Sequence, residues 1–202
     1  MTRIIGGVAG GRRLATPRGA ATRPTSDRVR EALFSAIEAW CGSLDGLRFL
    51  DLYAGSGAVG LEAWSRGAGV VTFVEQDRKT AGLIARNAET LGAARAGVTA
   101  TSVAAALRKS PTAPYDIAFL DPPYPLPDHD VTAALAALVA GEWLVPGALV
   151  VVERSVRGPD LVWPDGLAGQ RSKKYGETML WYGHAARATA GSPDGPPTAR
   201  SE

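Results

Sequence analysis

The residues with the clearest chemical potential lie in one short run at positions 118–124, which reads Ala-Phe-Leu-Asp-Pro-Pro-Tyr. Its apolar start is typical of a buried strand. Asp121 supplies a carboxylate that can only accept hydrogen bonds. Pro122 and Pro123 make the turn stiff because they have a fixed φ and no amide hydrogen, and Tyr124 adds a flat face on which a base can stack. The run therefore predicts a site for a planar amine, although a strand that merely ends in a Pro-Pro turn has the same pattern.

A glycine-rich turn in residues 47–60 predicts a nucleotide-binding loop. An apolar strand there leads through a glycine turn into a helix. Gly55, Gly57 and Gly60 satisfy the dinucleotide fingerprint in the strand–turn–helix context that it requires. Glu75 closes the next apolar stretch, at the spacing expected for an acid that binds ribose hydroxyls.

Asp51, four residues before Gly55, favours one class of cofactor. A pyrophosphate is bound by a helix N-terminus and a glycine cradle that carry no fixed negative charge. A carboxylate at the mouth of the loop opposes such an anion and suits a cationic ligand, such as S-adenosylmethionine with its sulfonium and ammonium groups. The preference is about 1 kcal/mol or less at an exposed site, so it favours a methyl donor without excluding a nicotinamide.

Together these runs resemble the Rossmann-like amino-methyltransferases. The motifs are Asp-Leu-Tyr-Ala-Gly-Ser-Gly at 51–57, Phe-Val-Glu at 73–75 and Phe-Leu-Asp-Pro-Pro-Tyr at 119–124. The opening is similar, more narrowly, to the RsmD type of bacterial small-subunit ribosomal RNA guanine-N2 methyltransferases. That likeness rests on Gly-Arg-Arg-Leu at 11–14 and Arg-Pro-Thr-Ser-Asp-Arg-Val-Arg at 23–30, and it extends from about Arg3 to Tyr182.

The resemblance implies an enzyme that methylates N2 of a guanine in 16S ribosomal RNA and uses S-adenosylmethionine. It assigns the amine site to Asp121, Pro122, Pro123 and Tyr124. It assigns the cofactor to Asp51, Tyr53, Ala54, Gly55, Ser56, Gly57, Glu75, Gln76, Ser102 and Asp121. It assigns contacts with substrate RNA to Arg3, Arg12, Arg13, Arg23, Thr25, Arg28 and Arg30. Val103 stands where the family usually has an acid for the cofactor's adenine, which leaves Ser102 or backbone groups to take that role.

The elements that must position these residues follow a strand–helix alternation, which predicts an α/β fold with a mostly parallel, doubly wound sheet. The strand candidates are 47–53, 70–75, 97–102, 115–120 and 147–153. The helix candidates are about 26–40, 58–66, 77–91, 103–109 and 130–141. Two further stretches, 168–174 and 177–183, flank a Tyr-Gly pair and predict a terminal antiparallel hairpin. The resemblance makes this a Rossmann-like class I methyltransferase fold.

Three segments are expected along the chain: a basic arm and helix at 1–40 that binds RNA, a methyltransferase domain at 41–184, and a disordered tail at 185–202. The helix of the first segment should bury Val29, Leu33, Phe34, Ile37 and Trp40, which follow helical spacing. Residues 1–24 are expected to be a flexible arm, with a short hairpin around the Gly-Gly pair at 10–11.

The charge of the chain is concentrated in its first thirty residues. The net charge is +2, but residues 1–30 hold seven arginines against one acid, so this segment carries +6 and the remainder −4. A concentrated cationic segment is a plausible footprint for nucleic-acid phosphates, although a solubilising tail has the same composition.

Composition excludes several other classes. There is no run of about 18 apolar residues and no apolar signal-peptide core. Cys41 is the one cysteine, which rules out an internal disulfide and fits the cytoplasm. The two histidines and one cysteine do not have the spacing of a metal site. A monomer that needs no metal and no membrane is expected.

The sites should meet at one edge of the sheet. Asp51, Glu75 and Asp121 each fall at the predicted carboxyl end of a strand, where ligands bind in doubly wound sheets. In the methyltransferase strand order, 47–53 and 115–120 are neighbours, so one pocket is expected to hold both methyl donor and acceptor. Glu153 also ends a predicted strand, but no motif of the family covers it, and it is expected to be a rim residue without a catalytic role.

The chemistry expected there is alignment of a weak nucleophile. The exocyclic amine of guanine is delocalised into its ring, so the enzyme has to orient the nitrogen lone pair. The Asp121 carboxylate and the Pro122 carbonyl would accept the two amine hydrogens while Tyr124 stacks on the purine. An adenine-N6 DNA or RNA methyltransferase shares this chemistry and is the main alternative. A nicotinamide oxidoreductase explains only the glycines, and a non-catalytic RNA-binding module explains only the arginines.

Overall fold

The computed structural model describes residues 2–17, 26–123 and 125–187, and a seven-stranded sheet forms their centre. A two-stranded antiparallel hairpin precedes it, β1 (Thr2–Arg3) and β2 (Arg13–Leu14). The strands of the large sheet are β3 (Arg48–Leu52), β4 (Val70–Glu75), β5 (Ala96–Ala100), β6 (Tyr115–Leu120), β7 (Leu144–Ser155), β8 (Leu167–Tyr175) and β9 (Thr178–Ala185). Their order across the sheet is β5-β4-β3-β6-β7-β9-β8.

Five α-helices accompany these strands in the described part of the chain. They are α1 (Asp27–Cys41), α2 (Ala58–Ser65), α3 (Arg78–Leu91), α4 (Val103–Leu107) and α5 (Asp128–Ala140). Three begin at side-chain N-caps of the expected type: Ser26, Asp77 and Ser102 each accept a hydrogen bond from a backbone amide in the first turn.

The predicted doubly wound sheet is confirmed. Strands β3 to β7 pair in parallel, and β9 pairs antiparallel with both β7 and β8. In β3, β4, β6 and β7, alternate residues enter two separate cores, so Phe49 packs with α1, α2 and α3 while Leu50 packs with α4 and α5. Burial on both faces explains why these four strands are almost continuously apolar.

The switch point of the sheet lies between β3 and β6. From β3 the chain proceeds outward through β4 to β5 and then returns to β6 on the other side. The register pairs Leu52 with Leu120, so the turns that follow these two strands leave the sheet side by side. This arrangement leaves a crevice where ligands bind in open α/β sheets.

The N-terminal segment is packed where a flexible arm was expected. The hairpin around residues 10–11 is present, but Ile4, Ala9 and Leu14 are buried in the core that also holds α1. The Glu62 carboxylate of α2 accepts hydrogen bonds from the amides of Ile5 (2.7 Å) and Gly6 (2.8 Å). Flexibility was therefore the wrong expectation for residues 2–17, because their apolar side chains and amides have partners in α2 and the core.

Two smaller expectations also need correction. Trp40 is 38% exposed and stacks on His184 with ring centroids 5.9 Å apart, so it leaves the buried face that Val29, Leu33, Phe34 and Ile37 share. The tail was expected from residue 185, but β9 runs through Ala185; residues 188–202 lie outside the described part. Within that part, none of the helices has the length and apolar character needed to cross a membrane.

Candidate active site

The two motif-bearing turns border one cavity of about 1320 Å³ at the carboxyl ends of β3 and β6. One wall comes from the turn after β3, with Tyr53, Ala54, Gly55 and Ser56. The facing wall includes Asp121, Pro122 and Pro123. The Asp121 amide donates to the Leu52 carbonyl (3.3 Å), which continues the β3–β6 ladder up to the acid itself. The expected convergence of the two turns is therefore present in the structure.

The glycines of the first turn are required by backbone geometry and by packing. Gly55 has φ +53° and Gly57 φ +76°, the left-handed region that favours glycine. A Cβ on Gly60 would lie 2.3 Å from a ring carbon of Phe73 on β4. Gly57 donates its amide to the Ala54 carbonyl (2.7 Å) and does not border the cavity, so its role is to form the turn.

Asp51 lies beneath the loop and not at its mouth, which corrects the sequence-based expectation. Only 1% of the residue is exposed, and its Oδ2 accepts the Gly60 amide at 2.9 Å. Burial raises the pKa of Asp51 to about 8, against the lowering effect of the Gly60 hydrogen bond and with a smaller contribution from Glu75. The carboxyl still borders the cavity. A cationic ligand in the cavity can therefore take the place of the water that the Asp51 carboxylate loses on burial, and the carboxylate can stabilise that ligand.

Glu75 anchors the rim of the loop. One carboxylate oxygen accepts the Gly55 amide (2.9 Å) and the other accepts the Asp77 amide (2.8 Å). Each carboxylate oxygen has a second lone pair, so Glu75 can also accept from ribose hydroxyls. Gln76 borders the cavity beside it.

Tyr53 is held in an unusual backbone conformation, with φ +59°. A non-glycine residue in this region is uncommon and, where surrounding structure maintains it, is often found at functional sites. Burial raises the pKa of its hydroxyl, with Asp130 adding to the shift. The ring therefore presents a neutral hydroxyl and an aromatic face to the cavity.

The pocket expected for adenine has a short polar residue where the family's acid would be. Ser102 caps α4, accepting the Ala105 amide at 3.2 Å, and it borders the cavity with Val103 and Ala104. The Ser102 hydroxyl keeps its proton for donation. Together with the carboxyl groups of Asp51 and Glu75, which also border the cavity, these residues fit S-adenosylmethionine.

Asp121 is half-buried and shares its surroundings with a second acid, Glu153. Burial raises the pKa of Asp121 well above its usual value, and the negative charges of Glu153 and Asp51 raise it further, while Arg154 acts in the opposite direction. Arg154 also holds in place the loop that leads from Pro122 to the start of α5, here called the proline loop. It donates to the Leu126 carbonyl (3.2 Å) and to Asp128 (2.6 Å).

Sequence reasoning missed part of the cavity wall. Glu153 was expected at the rim, but it is 8% exposed and borders the cavity. Residues 174–178, at the turn between β8 and β9, also border the cavity. The sequence does show an acid, Glu153, at the end of the apolar run of β7. Its position in the cavity wall became clear only when the strand order placed β7 next to β6.

Apart from Arg30, the predicted RNA-binding residues divide into three groups. Arg28 is exposed and borders the cavity. Arg3 and Arg13 are exposed register partners on the N-terminal hairpin, and Arg12, also exposed, donates to the Thr90 carbonyl at 2.9 Å. Arg23 and Thr25 lie outside the described residues, as does Tyr124 of the predicted amine site.

Arg30 is buried and has a structural role, which corrects the expectation that it contacts RNA. Its exposure is 0%, and one guanidinium nitrogen donates to both the Arg3 carbonyl (2.8 Å) and Asp27 (2.8 Å). A side chain enclosed in this way holds the N-terminal segment against α1 and does not reach an RNA phosphate. In the described part of the chain, no group of three or more His, Cys, Asp or Glu residues could hold a metal ion.

Comparison with known proteins gives consistent results. The family model described as "Conserved hypothetical protein 95" matches residues 2–184. The chain is 37% identical over 180 residues to "Ribosomal RNA small subunit methyltransferase D" of Escherichia coli (strain K12), covering 87% of this chain and 85% of that protein. The protein of the same name from Haemophilus influenzae is 35% identical over 177 residues, covering 86% and 89%.

A solved structure agrees with the fold. The Escherichia coli protein yhhF superposes with a TM-score of 0.81 at 33% identity, and the match covers 92% of this chain and 98% of that one. The structural match therefore covers most of the chain, as does the family model at residues 2–184.

Proposed function

The chain belongs to the family described as conserved hypothetical protein 95, and from this premise we propose that it methylates N2 of a guanine in small-subunit ribosomal RNA. It is an S-adenosylmethionine-dependent methyltransferase of the Rossmann-like class. The observation that carries the proposal is that the Asp51–Ser56 turn and the Asp121–Pro123 turn border the same cavity.

The first turn and its neighbours hold the cofactor. The turn around Gly55 allows close approach of the backbone to the methionine portion, Glu75 accepts from the ribose hydroxyls, and Ser102 lies on the adenine side. Bound S-adenosylmethionine supplies an electrophilic methyl group on a sulfonium. Asp51 stabilises that positive charge from beneath the loop, where burial makes the interaction stronger than in water.

The second turn holds the acceptor nitrogen. The Asp121 carboxylate and the Pro122 carbonyl accept the two hydrogens of the guanine amine, which directs the nitrogen lone pair at the methyl group. Positive charge grows on nitrogen during the transfer, and the nearby carboxylate stabilises it. A carboxyl whose pKa is raised is also a stronger base, so Asp121 can take the proton that the methylated nitrogen releases.

Exposed arginines provide contacts with the RNA backbone. Arg28 borders the cavity, and Arg3, Arg12 and Arg13 are exposed on the N-terminal hairpin. Arg23 and Thr25 are also proposed to contact the RNA, and Tyr124 to stack on the purine. The substrate is a partly or fully assembled small subunit in the cytoplasm, and the enzyme acts as a monomer.

The test is transfer of tritium from labelled S-adenosylmethionine to three substrates: small ribosomal subunits from a strain deleted for its own family member, deproteinised 16S RNA, and DNA. Nucleoside analysis then identifies the modified base. We expect N2-methylguanosine in ribosomal RNA, with subunits preferred. N6-methyladenosine would support the adenine alternative, and no transfer to any of the three would contradict the proposal.

A further inference from the structure

Glu153 occupies a position equivalent to that of Asp121 on the neighbouring strand. Strands β6 and β7 are parallel, and their register pairs Phe119 with Val151 and Leu120 with Val152. The next residues are Asp121 and Glu153. Because side chains alternate between the faces of a strand, both acids point to the same side of the sheet. They border the main cavity together, and both also border a second cavity of about 580 Å³ beside the proline loop.

The Glu153 side chain is enclosed and oriented. The residue is 8% exposed, and the Thr178 hydroxyl of β9 lies 3.4 Å from its Oε1. The preceding residues 150–152 are fully buried valines. An acid is rarely buried at such a position for packing alone, and its charge is close enough to Asp121 to affect that residue's ionisation.

Guanine presents donors that match two neighbouring carboxylates. Its base-pairing edge carries N1–H next to the N2 amine, whereas the corresponding N1 of adenine is an acceptor. An unpaired base in an active-site pocket is recognised through hydrogen bonds to this edge. An acid beside Asp121 is therefore chemically complementary to N1–H and repels an adenine N1 lone pair.

We propose that the Glu153 carboxylate accepts the N1–H hydrogen bond of the target guanine and thereby selects guanine over other bases. The inference rests on the proposed function, and it adds a residue that reads the base to the residues that align its amine. A site that binds a substrate N–H rejects the analogue that lacks it, because the buried acceptor is then left without its partner.

The test combines a substrate analogue that lacks the N1 hydrogen with one isosteric substitution. The nucleotide found to be methylated is replaced by 2-aminopurine, which keeps the 2-amino group but lacks O6 and has an unprotonated N1. Wild type and Glu153→Gln are compared by kcat/KM on the guanine and 2-aminopurine substrates, in 16S RNA or in reconstituted subunits, whichever is methylated. Comparing the two ratios cancels the difference in intrinsic amine reactivity.

We expect wild type to prefer guanine, and Glu153→Gln to reduce that preference about 10- to 100-fold, since its amide can donate to the 2-aminopurine N1. If the variant transfers no methyl group, its preference is obtained instead as the ratio of the dissociation constants for the two substrates. These are measured by 2-aminopurine fluorescence and by competition with the guanine RNA. A wild-type dissociation constant for S-adenosylmethionine shows that the variant is folded.

Glu89→Gln, which makes the same chemical change at an exposed position on α3, should keep the wild-type preference. An unchanged preference in Glu153→Gln would overturn the inference while leaving the proposed function intact. If the wild-type protein does not methylate guanine, the proposed function itself is overturned.

Discussion

At the scale of single residues, Asp121 is proposed both to position the acceptor amine and to act as a base. Replacing it with alanine removes the acceptor for the amine and the charge that stabilises the developing cation. We expect Asp121→Ala to lower kcat by about 10²–10⁴-fold while the dissociation constant for S-adenosylmethionine, measured by calorimetry, changes much less. Asp160→Asn, on an exposed loop, is the matched control. Wild-type turnover in Asp121→Ala would rule out the assigned role.

The shared environment of Asp121 and Glu153 has a consequence for pH dependence. Burial and the Glu153 charge raise the pKa of Asp121. Only the ionised carboxylate can both accept the hydrogen bond of the amine and take up its proton. Activity should therefore rise with pH through that raised pKa. Glu153→Gln removes one cause of the shift, so the rising limb of its normalised kcat–pH profile should move to lower pH. A limb that stays in place would show that the two carboxyls do not interact as the structure indicates.

At the scale of secondary-structure elements, the contact between α2 and β4 fixes the loop that carries the cofactor residues. Gly60 allows this close approach, because a Cβ there would meet Phe73 at 2.3 Å and the Asp51 carboxylate at 3.0 Å. We expect Gly60→Ala to destabilise the fold by about 1–3 kcal/mol through overpacking and to weaken cofactor binding, as measured by urea unfolding and calorimetry.

The chain offers a matched control for that substitution. Gly97 lies in β5, and an added Cβ there would have no heavy atom within 4 Å. Gly97→Ala should therefore leave stability the same or slightly higher, since it reduces the freedom of the unfolded chain. Equal destabilisation by both substitutions would mean that the α2–β4 contact is not the cause.

The elements predicted correctly from sequence are those whose signals are local. The strand at Val70–Glu75 and the turn containing Gly55 and Gly57 follow from hydrophobic patterning and from glycine spacing. The burial of Arg30 could not be predicted, since it depends on a carbonyl from the N-terminal hairpin, 27 residues away. Glu153 was expected at the rim, and its burial beside Asp121 could not be predicted for a related reason: Asp121 belongs to a different strand, and neither segment specifies the register between the two strands.

At the scale of the whole molecule, the concentration of positive charge in the first thirty residues favours binding of the RNA backbone by that segment. Arg28 is exposed at the edge of the cavity, so its loss should remove about one phosphate contact. We expect Arg28→Ala to weaken RNA binding and to reduce the slope of log Kd against log salt by about 1. Arg95→Ala removes the same charge from an exposed position before β5 and should change neither quantity. Equal effects from both variants would indicate that only net charge matters.

The stability of the whole fold should depend on pH through Asp51. Its pKa is about 8 in the folded protein against an ordinary value of 3.8. Between these values the folded state keeps a proton that the unfolded state releases, so the free energy of unfolding falls as pH rises through this window. Asn at position 51 keeps an acceptor for the Gly60 amide but cannot ionise, and Asp51→Asn should therefore lose this decline.

Urea unfolding of both proteins at about pH 5, 7 and 9 measures the difference. The advantage of Asp51→Asn should grow with pH and level off above about 8, reaching at most roughly 6 kcal/mol at about 1.4 kcal/mol for each unit of pKa shift. Saturating S-adenosylmethionine should narrow this gap, because a cation in the cavity stabilises the ionised Asp51. An advantage independent of pH would mean that Asp51 is ionised throughout, and that the loop stabilises its charge without a ligand.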